Sequence, residues 1–260
     1  MRSPMVITSN GFLSSRSRAL KASKTAKAVP PVLFSPISFK SWEKLFSSAF
    51  PGSLVSSVII TVSTTVATLV VGVPAGYAFA RGKFVGRWFL GGWLLFSRMM
   101  PPVIFIIPLF LFFNRLGLTN SYLGLIIAYA VSSVPLTIWT LKGYYETIPV
   151  DLEEAALIDG ASRLTVFTKI MLPLSTPALA IAFLFSFMGG WSEYLVARVV
   201  LQKAAMYTWP LGIFTYAGQY TLAAGRFAAA SMLLAVPSMA LFLYSSKWLV
   251  SGLTLGGVKG

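Results

Sequence analysis

The chain of 260 residues contains no cysteine and no histidine. The first absence excludes disulfides, thiolate metal sites and a cysteine nucleophile. The second removes the most common general base and metal ligand of proteins. The sequence also lacks a phosphate-binding glycine loop and a recognisable pair of nucleophile and base. It therefore predicts a protein that is not an enzyme and that binds no metal and no cofactor itself.

Charged residues are scarce as well. They make up 11% of the chain, whereas a soluble domain carries roughly 25%. Hydrophobic residues make up 56% of the chain, and the mean hydropathy is +0.77. This composition predicts a polytopic membrane protein whose main partner is the lipid bilayer.

The net charge of +14 is compatible with nucleic-acid binding. However, the basic residues stand at the ends of apolar segments, which is the distribution that the positive-inside rule describes. No basic patch is expected on a soluble fold. The charge therefore indicates membrane orientation, and we expect no nucleic-acid partner.

Five segments are long and apolar enough to cross a bilayer, which needs about 20 residues as a helix. The fold class that they predict is all-α, a polytopic membrane helix bundle. The prolines inside the second, third and fifth segments predict kinks, which neighbouring helices can accommodate. The predicted spans are 53–80, 88–113, 121–141, 174–197 and 227–249.

Lysine and arginine predict the orientation of the spans. They are frequent between spans one and two, between spans three and four, and after span five, so these regions are expected in the cytoplasm. The links 114–120 and 198–226 are then external. Residues 53–260 form the predicted transmembrane domain, and 143–173 form its large cytoplasmic loop.

Residues 1–52 form a polar segment with eight basic residues and one acidic residue, Glu43. Residues 1–28 have the composition of a disordered segment. An organellar transit peptide, which has a similar composition, is the alternative. Five spans would place this basic segment outside, against the positive-inside rule. A truncated or misread start is the preferred interpretation, and a natural five-span variant is the second.

The loop 143–173 holds most of the acidic residues of the chain. Five of the seven lie between Glu146 and Asp159. Acids at the start of a helix complement its dipole, Gly160 is a typical helix stop, and Ser162 can cap a second helix. The sequence predicts a helix-turn-helix. Its second helix carries an apolar stripe for a protein groove or a lipid surface: Leu164, Phe167, Ile170 and Met171.

The spacing in this loop, EAA-x3-G-x9-I-x-LP from Glu154 to Pro173, resembles the loop by which membrane subunits of prokaryotic ABC importers contact their ATPase subunits. The segments RMMPP (98–102), LGLTNSYLGLIIAY (116–129) and LVSGLTLGGVKG (249–260) are similar to permeases of maltose- and trehalose-type sugar importers. PISFKSWEKLF (36–46) and PAGYAFARGKF (74–84) extend the resemblance. The first span of that family has no counterpart in the chain.

The resemblance implies a permease subunit that couples ATP hydrolysis to alternating access. Its partners would be a second permease, two ATPase subunits that hold ATP and Mg, and an extracytoplasmic sugar-binding protein. The location would be the prokaryotic cytoplasmic membrane, with the loop and the C-terminus in the cytoplasm. The coupling residues that it implies are Glu153, Glu154, Ala155, Ala156, Asp159, Gly160, Phe167, Ile170, Leu172 and Pro173.

Within that set, the resemblance gives Glu154 a basic partner on the ATPase subunit. Ala155 and Ala156 keep the helix slim enough for close approach, and Gly160 permits the turn. Phe167 and Ile170 anchor the second helix. Composition alone leaves open whether this helix docks on a protein or lies on lipid.

Four residues in or beside the spans are candidates for the transport pathway: Arg98, Pro102, Trp191 and Glu193. An arginine inside a span faces the bundle or water because burying it in lipid is costly. A structural contact to a carbonyl group is the alternative for Arg98. For Glu193, which lies between aromatic residues, an interfacial position is the alternative to a sugar contact.

The predicted external loop 198–226 is rich in aromatic residues, which is typical of protein interfaces. A lipid-facing belt is the alternative. By the family resemblance this loop would meet the binding protein. The candidate contacts are Tyr207, Trp209, Phe214, Tyr216 and Tyr220.

Three other functions compete with a sugar-importer permease. An ABC importer permease for a non-sugar solute would share the loop. An ATP-independent channel would need no soluble partner, which disagrees with the loop. A truncated remnant without transport activity would agree with the missing first span.

Overall fold

The structure is a computed structural model that describes residues 40–48, 50–216 and 224–256, with side chains in the last range described for 225–246. These residues are helical and contain no strand, which confirms the all-α prediction. The helices in the first half are α1 Lys40–Phe46, α2 Phe50–Arg81, α3 Arg87–Met99, α4 Pro102–Arg115 and α5 Tyr122–Thr147. Those that follow are α6 Asp151–Ile158, α7 Arg163–Leu174, α8 Thr176–Trp191, α9 Leu195–Val200, α10 Trp209–Phe214 and α11 Ala224–Gly256.

The centre of the bundle is the long contact between α2 and α5. It is close because α2 presents glycine there: a Cβ at Gly76 would lie 2.9 Å from Leu141 Cβ and 3.3 Å from the Ile138 carbonyl oxygen. Small residues allow the backbones of membrane helices to approach in this way. The buried face of α2 also carries hydroxyl side chains, which are Ser53, Ser56, Ser57, Thr61, Thr64, Thr65 and Thr68.

Among the described residues, three helices are individually long and apolar enough to cross a membrane, and up to five spans result if each of two bent pairs counts as one. The first pair is α3 and α4, bent by 101°, and the second is α7 and α8, bent by 76°. The span count therefore stays a prediction. The segment 88–113 is not the single kinked helix that the sequence suggested. Met100 and Pro101 each precede a proline, which disfavours the helical region, and both are extended with ψ near 130°.

Loops that were expected on the same side of the membrane lie together. At one end, the Asn120 side-chain oxygen accepts hydrogen bonds from the backbone N–H groups of Gln202 (2.6 Å) and Lys203 (3.0 Å). At the other end, Arg87 forms an ion pair with Glu146 at 3.5 Å. These contacts agree with the predicted grouping of the loops, and the side that faces the cytoplasm stays a prediction.

We expect Gly76→Ala to destabilise the protein because the added methyl group meets the backbone of α5. Overpacking of this kind costs roughly 1–3 kcal/mol. Gly52→Ala is the matched control, since a Cβ at Gly52 meets nothing within 4 Å and alanine favours a helix by about 1 kcal/mol over glycine. Thermal unfolding in detergent measures both variants. Equal melting temperatures would show that α2 and α5 do not need this close approach.

Candidate functional site

The loop between α5 and α8 is organised around a tight turn. Helix α6 has Asp151, Glu153 and Glu154 in its first turn, where carboxylates complement the helix dipole. It ends before Gly160, whose φ of 84° is a left-handed conformation that favours glycine. Ser162 then caps α7, because its hydroxyl oxygen accepts a hydrogen bond from the Thr165 N–H at 3.2 Å. The helix, the glycine turn and the second helix lie where the sequence predicted them.

Glu153 holds this loop to the end of α2. Its carboxylate accepts from Arg81 Nε at 2.5 Å and from the Tyr77 hydroxyl at 2.6 Å. Arg81 also donates to the Ile148 carbonyl oxygen at 2.6 Å, just before α6. The carboxylate is buried and has both oxygens satisfied. Glu153 is therefore a positioning residue inside this chain, which the sequence interpretation had listed with the docking residues.

The neighbouring acid points the other way. Glu154 is exposed, as are Ala155, Asp159 and Gly160, whereas Ala156 is partly buried against the core under the loop. Adjacent helix residues lie about 100° apart, so one carboxylate can be internal while the next is free. The exposed Glu154 is thus available to a partner, as the family resemblance implied.

Helix α7 buries part of the apolar stripe that the sequence placed on its surface. The Phe167 ring packs on Tyr77 with centroids 4.9 Å apart, and Met171 is fully buried. Ile170 and Leu172 are partly buried, and Pro173 is exposed. The helix has a π-helical turn from Phe167 to Met171, which shifts the phase of the residues after it relative to an α-helix.

Other apolar side chains of the loop remain exposed. Ile158 is 85% exposed and Leu164 is 71% exposed, and Leu157 is also open to solvent. Glu154, Leu157 and Ile158 are spaced i, i+3 and i+4 on α6, so they share one face of that helix. Together with Leu164 we call these residues the outer face of the loop.

Three of the four pathway candidates, all except Pro102, have hydrogen bonds within the chain. Arg98 donates to the Ser132 carbonyl oxygen at 3.0 Å, and Pro102 begins α4. Trp191 is buried and its indole N–H donates to the Leu234 carbonyl oxygen at 3.0 Å. The carboxylate of Glu193 accepts from two backbone N–H groups at the start of α9, at 2.8 and 3.1 Å. These contacts give the three residues a structural role, and a pathway role is not tested by them.

The aromatic candidates of the predicted external loop differ in how deeply they are buried. Trp209 is buried, edge-to-face with Phe50 at 4.8 Å, and its indole N–H donates to the Ala230 carbonyl oxygen at 3.2 Å. Tyr207 is partly buried, and the Tyr216 hydroxyl is 3.0 Å from the Ser48 hydroxyl. Phe214 is 52% exposed. Tyr220 lies outside the described residues.

No cluster that could hold a metal ion is found in the part of the chain that the structure describes. The sites defined by the geometry are a charged, partly apolar loop at one end of an apolar helix bundle and an aromatic loop at the other. This arrangement defines a class, the polytopic membrane helix bundles. The chain belongs to the family of binding-protein-dependent transport system inner membrane components, whose model matches residues 72–253.

Similar proteins agree with this assignment. The chain is 39% identical over 213 residues to the maltose/maltodextrin transport system permease protein MalG of Salmonella typhimurium, an alignment that covers 80% of this chain and 72% of that protein. It is 38% identical to MalG of Escherichia coli K12 over the same length, with the same coverage. The family predicted from the loop spacing is confirmed, and it is a family of transport components.

Solved structures show the same fold. A chain of a bacterial ABC transporter involved in the import of the acidic polysaccharide alginate has a TM-score of 0.69 at 21% identity, covering 94% of this chain and 99% of that one. A chain of the MetNI methionine ABC transporter, in an inward-facing conformation, has a TM-score of 0.63 at 16% identity, covering 83% and 99%. At these identities the likeness concerns the fold alone.

We expect Glu153→Gln to destabilise the protein by about 3 kcal/mol. The substitution removes the carboxylate from a buried ion pair, and the positive charge of Arg81 is then left without its partner. Glu154→Gln is the matched control, since it changes the neighbouring acid at the surface. Thermal unfolding of the purified protein measures the difference. If both variants unfold at the same temperature, Glu153 does not hold the loop to α2.

Proposed function

We propose that this chain is a permease subunit of an ABC importer for a sugar, of the maltose or maltodextrin type. The similarity to MalG over most of both chains supports the substrate class. A second permease, two ATPase subunits that hold ATP and Mg, and an extracytoplasmic sugar-binding protein complete the importer. The chain lies in the prokaryotic cytoplasmic membrane, with the loop and the C-terminus in the cytoplasm.

The observation that supports this proposal most directly is that the two adjacent acids of the loop, Glu153 and Glu154, have different surroundings. Glu153 is used internally, and Glu154 is left exposed on the same face as Leu157 and Ile158. Exposed apolar side chains around a charge are typical of a docking surface. The outer face of the loop therefore docks on the ATPase subunit, and Glu154 meets a basic residue there.

The same contacts suggest how movement is passed on. When the ATPase subunits close, the docked loop moves with them as a rigid body. The Arg81–Glu153 ion pair and the Phe167–Tyr77 ring contact join both helices of the loop to α2. Helix α2 in turn packs along α5. The displacement therefore reaches the spans through contacts within this chain.

The opposite end of the bundle is the candidate contact for the sugar-binding protein. Asn120 ties the link after α4 to the segment after α9, and Phe214 is exposed nearby in sequence. Of the four aromatic candidates that the structure describes in this loop, Phe214 is the exposed one. Trp209 instead supports the loop from inside.

Reversal of the exposed charge tests the docking role. Glu154→Lys is expected to reduce both the co-purification of the ATPase subunits and the binding-protein-stimulated ATPase activity at least tenfold, because a like charge then faces the basic partner. The fold should persist, since Glu154 makes no described contact. Glu43→Lys is the matched control, an exposed acid in α1. Unchanged stimulation by the Glu154→Lys complex would contradict the docking role.

A second variant tests the apolar part of the outer face. Leu164→Ser removes an exposed side chain and should leave the melting temperature unchanged. It should weaken docking about tenfold, which corresponds to about 1.4 kcal/mol. Titration of ATPase subunits onto the permease pair in nanodiscs gives the affinity. If Leu164→Ser leaves the affinity unchanged, the helix lies on lipid instead.

A further inference from the structure

A cavity of about 830 Å³ lies beside the start of α3, away from the outer face of the loop. Its walls come from the end of α2, the turn before α3, the first turns of α3 and the last part of α5. This volume is in the range of small-molecule sites, which is about 300–1,000 Å³. The lining residues on which the argument rests are Phe79, Arg87, Trp88, Gly92, Trp139 and Lys142.

One part of this cavity suits an anion. Arg87 and Lys142 both line it. The N-terminus of α3, which is 13 residues long, also lies at the cavity, and its cap residue Gly86 has no side chain to cap it. Helix N-termini attract anions through their free N–H groups. Lys142 Nζ lies 5.0 Å from the centroid of the Trp139 ring, so the cation and an aromatic wall of the cavity are adjacent.

The remaining wall suits hydrocarbon. Aromatic rings of Phe79, Trp88 and Trp139 line the cavity. Trp88 is 93% exposed, so none of the described residues covers it. Gly92 leaves space at its position, because a Cβ added there would meet no atom within 4 Å. A ligand with a negative head and an apolar tail fits both parts, whereas a free inorganic anion would use the first part alone.

We propose that this cavity binds an anionic phospholipid, with its phosphate group at Arg87, Lys142 and the start of α3 and an acyl chain along the aromatic wall. Basic pockets between membrane helices on the cytoplasmic side bind such headgroups. The cavity lies at the end of α2 where lysine and arginine are frequent, and that end is the one predicted to face the cytoplasm. The site is separate from docking and from the sugar pathway.

Glu146 sets the strength of this site. Its carboxylate is 2.8 Å from Lys142 Nζ and 3.5 Å from Arg87 Nη2, so the three side chains carry one net positive charge. A bound phosphate shares the two cations with Glu146. Removing that carboxylate therefore strengthens lipid binding, while removing either cation weakens it. A purely structural ion cluster would not give opposite effects on lipid retention.

The experiment measures the lipid that stays bound to the purified complex. The complex is exchanged into mixed micelles that contain equal amounts of phosphatidylglycerol and phosphatidylcholine, and retained lipid is counted by native mass spectrometry. Phosphatidylglycerol should be retained preferentially. Arg87→Gln and Lys142→Gln should each lower its retention roughly fivefold, as expected for one basic residue near a membrane surface, and Glu146→Gln should raise it.

A second kind of variant tests the cavity by changing its shape without changing its charge. Gly92→Leu should obstruct the apolar wall of the cavity and lower lipid retention, whereas Gly52→Leu, equally free of neighbours within 4 Å, should leave retention unchanged. Equal retention of the two lipids, unchanged retention by Gly92→Leu, or displacement by inorganic phosphate would overturn the proposal. So would a cross-link from Gly92→Cys to the second permease. The experiment measures bound lipid and not transport. A negative result would therefore count against the lipid site and would leave the proposed transport function untouched.

Discussion

The ion pair between Arg81 and Glu153 is the interaction on which the arrangement of the loop depends. Helix α6 has eight residues, and a helix of that length is marginal by itself in water. The buried carboxylate, bound by Arg81 and Tyr77, fixes its position and its rotation against α2. That rotation places Glu154 on the outside. The exposure of Glu154, on which the proposed docking depends, is therefore a consequence of an internal contact.

The rest of the bundle supplies a stiff connection between two ends. Glycines and hydroxyl side chains let α2 pack closely on neighbouring helices without bulky apolar groups. Asn120 closes one end by binding two backbone N–H groups of another segment. The ion pair closes the other end. The proposed transmission of movement from the loop is supported by these contacts, because the ion pair and the Tyr77–Phe167 ring contact join the loop to α2 and α2 packs along α5.

Much of this could be predicted from the sequence, because composition and motif spacing report on the membrane and on the family. The helix stop at Gly160 follows from local chemistry. The roles of Glu153 and Glu154 could not be separated, since both precede the same alanines and only the packing against Arg81 distinguishes them. The inward position of Phe167 was missed because an apolar stripe does not report whether it faces the chain's own bundle or a partner, and the contact with Tyr77 decides this. Trp209 was taken as an interface residue because aromatic content does not report burial.

Site-specific cross-linking from the loop tests the central claim most directly. The chain has no cysteine, so Leu164→Cys introduces a single thiol on the outer face, and Met171→Cys introduces one at a fully buried position of the same helix. With a short photo-activated reagent in native membranes, the account predicts an adduct between position 164 and an ATPase subunit and none from position 171. Adducts of position 164 with lipid alone, in membranes that transport sugar, would contradict it.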